Sequence, residues 1–132
     1  MAVNNRPRAR PLSPHLQVWR WHITMTTSIL HRATGVGLAA GAVVLTAWLW
    51  ALIGGEAWHS AFAQFFGSPP GKVLGYLWGV ALAFHMASGL RHLVWDAGIG
   101  FSPGVAKAWS WVMILWGFAA PLVVLSAAGV IG

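Results

Sequence analysis

Cysteine is absent from the sequence, which excludes disulfides, thiolate chemistry and cysteine-ligated iron–sulfur clusters for this chain. Charge is nearly as scarce: 8% of the 132 residues are charged and only two are acidic. A soluble domain carries about 25% charged residues. With 58% hydrophobic residues, the chain needs lipid as its solvent. A secretory leader is not expected either, since Pro11, Ser13, Pro14 and His15, not a short apolar core, follow the first basic stretch. No internal repeat and no low-complexity tract interrupts the pattern.

What is present fits that solvent. Ten Trp in so short a chain match the enrichment of Trp at membrane interfaces. The formal net charge of +6 would suggest nucleic acid in a soluble protein. Here it is better explained by basic residues collecting on the cytoplasmic side of a membrane, so no nucleic-acid partner is expected and the partner surface is lipid.

The expected organisation is a basic tail over residues 1–25 and a three-helix transmembrane domain over 26–132. Pro7, Pro11 and Pro14 discourage helix in the tail. Apolar segments run over about 26–53, 72–96 and 108–131, each beyond the roughly 20 residues needed to cross the hydrocarbon. The fold class is therefore all-α membrane protein. In the connection over 54–72, Trp58, Phe62, Phe65 and Phe66 share one helical face, which predicts a short interfacial helix. Pro121 should kink the third span or free one carbonyl in it. Arg6, Arg8, Arg10, Arg20, Arg91 and Lys107 lie in the tail and the 91–107 region, six of the eight basic residues. The N-terminus is thus expected in the cytoplasm and the C-terminus outside.

Two stretches break the apolar pattern. In "HMASGLRHLVWD", His85, Gly89, His92 and Asp96 form one helical stripe about 16 Å long. His85 lies near mid-membrane, where an unpartnered imidazole is costly. It needs a metal or a hydrogen-bond partner on a neighbouring helix. Gly89, one turn away, leaves space where a flat macrocycle would approach, so haem iron is one candidate. A structural zinc site is disfavoured, because it wants four close Cys or His ligands and the histidines here lie at different depths. In "SILHRATG", Ser28, His31, Arg32 and Gly35 form a second stripe at the cytoplasmic edge. If the two helices pack antiparallel, Arg91, His92 and Asp96 meet that stripe. A donor-rich cluster there suits a carboxylate, phosphate or carbonyl. The alternative is an Arg32 that snorkels to headgroups beside a solvated His31.

"RPLSPHLQVWR", "SILHRATG" and "HMASGLRHLVWD" together resemble, in order and spacing, the cytochrome b membrane-anchor subunit of succinate dehydrogenase, respiratory complex II. The second and third motifs fit fully; in the first, Trp19 stands where Tyr is usual. The resemblance implies a haem b subunit in the bacterial inner membrane, with the mitochondrial inner membrane a lesser alternative. It implies partnership with a second three-helix anchor subunit, an iron–sulfur subunit and a flavoprotein subunit. His85 matches the axial haem ligand supplied by this subunit, the other coming from the second anchor. His31 and Arg32 match the propionate side of the haem. Ser28 and Arg32 match the ubiquinone site, and His92 and Asp96 match a nearby polar network that is a candidate proton relay. Succinate chemistry falls to the partners, since no flavin or dicarboxylate motif is present. Two other readings compete. One is a cytochrome b anchor of a fumarate reductase-type enzyme, although a two-haem anchor would need histidines on the third span, which has none. The other is a purely structural membrane adaptor.

Overall fold

A computed structural model describes residues 19–130. The expected basic tail lies, up to residue 18, outside the described residues. Four helices follow in order: α1 (Ile23–Ile53), α2 (Glu56–Gly67), α3 (Pro69–Asp96) and α4 (Pro103–Ala127). Helices α1, α3 and α4 are long and apolar enough to span a membrane. Their 31, 28 and 25 residues correspond to about 38–46 Å of helix.

The spans begin earlier than their apolar runs. Pro69 and Pro70 open α3, and Pro103 opens α4, in the first-turn positions where proline lacks only a donor that would have no partner anyway. Ser68 caps α3 by accepting from the Gly71 amide at 3.4 Å. It also ends α2, so the two helices join at a single corner. Gly71 is required at this corner, because a Cβ there would run into the Phe65 carbonyl. Gly55, at φ 100°, opens α2 in a conformation that favours glycine. The expected interfacial helix is present as α2, but its aromatic stripe divides. Phe62 and Phe66 turn toward α1 and α3, while Trp58 and Phe65 stay exposed. With Gly41, Trp48 and Trp78, the two inward rings line an apolar cavity of about 560 Å³.

Few side chains are buried, as expected where lipid replaces water. Lipid tails are as apolar as leucine, so helices associate through close packing and hydrogen bonds. The inner face of α4 is a stripe of Ser110, Met113, Gly117 and Pro121. It meets Phe84, Ser88 and Arg91 on α3. A Cβ at Gly117 would lie 3.0 Å from Phe84 Cβ, and one at Gly79 would lie 2.8 Å from Pro121 Cβ. Pro121 leaves α4 continuous but deprives the Gly117 carbonyl of its helical donor. The neighbouring Phe118 carbonyl accepts from the Tyr76 hydroxyl of α3 at 3.1 Å.

One charge is built into this core. Arg91 is 4% exposed. Its Nη1 donates to Thr27 Oγ1 of α1 and Ser110 Oγ of α4, each at 3.3 Å, and its Cζ lies 4.4 Å from the centre of the Trp95 ring. The guanidinium therefore ties all three spans together. It lies within α3 and not in the cytoplasmic connection with which the charge count grouped it.

The glycine contacts make a test. Gly79→Val should press on Pro121 and lower the thermal midpoint of the detergent-extracted protein, at a cost of about 1–3 kcal/mol. Gly104→Ala meets nothing within 4 Å and should leave the midpoint in place. Equal midpoints for the two variants would mean that Gly79 is not a packing contact.

Candidate functional site

The site grows from a local habit of threonine. In a helix its hydroxyl turns back toward a preceding carbonyl. Thr34 Oγ1 lies 2.8 Å from the Leu30 carbonyl and 3.0 Å from that of His31. This brings both Thr34 Oγ1 and the His31 carbonyl to one place on the α1 surface, facing α3. There His85 enters. Its Nδ1 is 3.1 Å from the His31 carbonyl oxygen and 3.2 Å from Thr34 Oγ1.

A carbonyl oxygen only accepts, so the contact to His31 is a hydrogen bond in the tautomer with the proton on Nδ1 and the lone pair on Nε2. Among the described residues Nε2 has no hydrogen-bond partner. Of the two sequence alternatives for His85, a hydrogen bond to the neighbouring helix is thus realised at Nδ1, and it leaves Nε2 open for a metal. Gly35 lets the helices close: a Cβ there would lie 3.1 Å from His85 Cε1. Gly89, on the same stripe of α3, faces open space.

The two polar stripes converge. The His31 ring stacks on His85 with centroids 4.1 Å apart and rings inclined by 27°. It also stacks on His92 at 5.1 Å and 23°. His92 Nδ1 donates to the Ser88 carbonyl at 2.7 Å. His31 Nε2 and Ser88 Oγ are buried without a hydrogen-bond partner among the described residues. The stacked rings do not aim nitrogens at a common point, and no group of three or more metal-ligating side chains occurs among the described residues. Among the described residues, no second side chain joins His85 in a ligand set.

Ser28 and Arg32 lie one turn apart on α1, toward the membrane edge. Arg32 donates to Ser28 Oγ at 3.5 Å, the long limit for such a bond. Arg32 is exposed and Ser28 half-buried, so both are accessible to a ligand. Asp96 ends α3, is exposed, and joins none of these contacts. The sequence reading passed over Thr34, although it stands inside the quoted "HRATG". Its signal was a hydroxyl three residues after His31, on the same helix.

With this geometry established, comparison with known proteins is informative. A family model for the succinate dehydrogenase/fumarate reductase transmembrane subunit matches residues 6–124. A succinate dehydrogenase cytochrome b556 subunit from Paracoccus denitrificans is 43% identical over 102 residues, covering 76% of each chain. One from Rickettsia felis is 36% identical over 106 residues, covering 80% of this chain and 82% of its own. The mitochondrial succinate dehydrogenase cytochrome b560 subunit of Sus scrofa is 34% identical over 109 residues, covering 80% of this chain and 64% of its own. The matched span holds every side chain of the site, from Ser28 to Asp96, and all three membrane helices almost to the end of α4. This chain belongs to the family of succinate dehydrogenase and fumarate reductase transmembrane subunits.

Proposed function

We propose that this chain is the membrane-anchoring haem b subunit of a succinate:ubiquinone oxidoreductase in the bacterial inner membrane. In this reading it docks the iron–sulfur and flavoprotein subunits, pairs with a second three-helix anchor, and contributes to the ubiquinone-reduction site. The observation that carries the reading is His85, held through Nδ1 against α1 beside Gly35, with no hydrogen-bond partner at Nε2 among the described residues. A low-spin haem wants that presentation of an imidazole. The buried, unpartnered Nε2 of His31 also fits, since a haem propionate would supply its acceptor. Bacterial relatives named as succinate dehydrogenase cytochrome b subunits favour this reading over a fumarate reductase anchor. A purely structural adaptor would have no use for the open Nε2.

The residues divide the work by chemistry. His85 would hold the haem iron, with the second axial histidine from the other anchor. His31 and Arg32 would meet the propionates as donors. The haem, when bound, supplies one-electron redox chemistry beside the quinone site. Ser28 would donate its hydroxyl proton to a quinone carbonyl. Arg32 would set its guanidinium against the negative charge that builds on the quinone as electrons arrive. His92 and Asp96 are the groups toward the cytoplasmic edge able to hand protons inward. The 1–25 segment would remain a cytoplasmic tail ahead of the three-helix domain.

Three measurements test this. Reporter fusions at Gly132 and Ser68 should both read as outside, because the basic tail holds the N-terminus in the cytoplasm. A cytoplasmic signal at Gly132 rejects the orientation. His85→Ala should abolish or change the low-spin haem spectrum of the assembled complex, and an unchanged spectrum at full haem content rejects His85 as ligand.

The third measurement compares two electron acceptors in the same membranes. Ser28→Ala removes one hydrogen bond, worth about 0.5–1.5 kcal/mol net, so quinone reduction should slow roughly two- to tenfold. Arg32→Leu should slow it further. Reduction of a soluble dye that takes electrons upstream should stay near normal in both. Equal loss with dye and quinone would assign both residues to assembly and defeat the quinone-site reading.

A further inference from the structure

The haem reading above names His85 but leaves open what sets its strength as a ligand. The geometry points to Thr34 as a positioning residue that, with the His31 carbonyl, orients the His85 imidazole and tunes the redox potential of the iron it holds. The inference rests on the proposal that His85 binds haem.

Three observations converge on it. First, Thr34 Oγ1 lies 3.2 Å from His85 Nδ1, next to the His31 carbonyl oxygen at 3.1 Å, so the Nδ1–H is shared between two acceptors on α1. Second, the Thr34 hydroxyl has its own acceptor, since the Leu30 carbonyl is 2.8 Å away. Its proton therefore points along α1, and its lone pair is left for His85. A hydroxyl that had to donate to Nδ1 would enforce the opposite tautomer and place the proton on Nε2. Third, the next residue is Gly35, whose missing Cβ gives the ring its place, 3.1 Å from where that atom would be. One short segment thus fixes the ring's position, its rotation and its tautomer.

The electronic consequence follows from acid–base chemistry. An acceptor on the far N–H of a ligating imidazole makes the ligating nitrogen more basic. A more basic axial ligand favours the oxidised, more positively charged iron and lowers the potential. Removing one of two acceptors should raise it. A threonine that served only to pack the helix would leave the potential unaffected when a methyl replaces its hydroxyl.

The test uses the assembled complex in membranes, with reduced-minus-oxidised spectra and a redox titration of the haem. Thr34→Val keeps shape and removes the acceptor; it should keep the low-spin spectrum and shift the midpoint potential upward. Thr34→Ser restores the hydroxyl and should return the midpoint toward that of the unaltered protein. Gly35→Ala crowds the ring and should broaden the low-spin bands or lower haem content. An unaltered midpoint in Thr34→Val overturns the role of Thr34. So does loss of the assembled complex in that variant, which would make Thr34 a packing residue. His85→Ala, measured alongside, separates the two levels. If it abolishes the signal while Thr34→Val has no effect, His85 stands as ligand and only the Thr34 inference falls. If His85→Ala changes nothing, the haem reading of His85 falls and this inference with it.

Discussion

The hydrogen bond from the His85 imidazole to the backbone of α1 is the interaction on which the rest of the site depends. It joins the two helices that carry the polar stripes and sets their relative height. Once His85 lies against His31 and Gly35, the register of α1 follows. Ser28 and Arg32 are carried to the membrane edge, and His31 is brought between His85 and His92. Lipid makes this bond consequential, since a polar group facing hydrocarbon has no water to fall back on. The same constraint explains why each described polar contact between helices uses a hydroxyl, carbonyl, imidazole or guanidinium and none uses a carboxylate.

The packing between helices obeys a different economy from that of a soluble core. Large apolar side chains such as Val36, Ile53 and Leu115 face outward, where they dissolve in lipid. Inside, beside Phe84 and Met113, are mostly small or polar residues: Gly79 against Pro121, Gly117 against Phe84, and Thr27 and Ser110 bonded to Arg91. Close approach of backbones replaces burial of oil as the cohesive force. The apolar cavity beside Trp78 departs from this, a gap between helices that no described side chain fills.

The three spans were legible because runs of twenty or more apolar residues admit few other structures. The early starts of α3 and α4 were not, since proline reads as a breaker until its tolerance in the first turn is considered. The approach of His92 to His31 followed from two stripes on antiparallel neighbours, but His85 was set at a different depth, and its stacking on His31 was not foreseen. Thr34 was hidden because a helical threonine more often satisfies itself on its own backbone, and it does so here while also facing His85. Arg91 was visible as a charge but misplaced. Phe84, Ser88 and Arg91 recur at i, i+4 and i+7, and that spacing marks an inner face. The charge count grouped Arg91 with the 91–107 region, while the motif set it on the second helix beside His92 and Asp96.

The guanidinium of Arg91 also bears on how the chain reaches the bilayer. Synthesis runs from α1 to α4, so α3 reaches the membrane before α4 has packed beside it. At that moment Arg91 has Thr27 and the Trp95 ring but not Ser110, and a charge within an inserting helix is costly without partners. Arrival of α4 brings the second hydroxyl and closes the sheath around the charge. The last helix is therefore the latch of the bundle. A bundle without α4 would hold an incompletely paired cation, so the charge ties completion of the fold to its last helix.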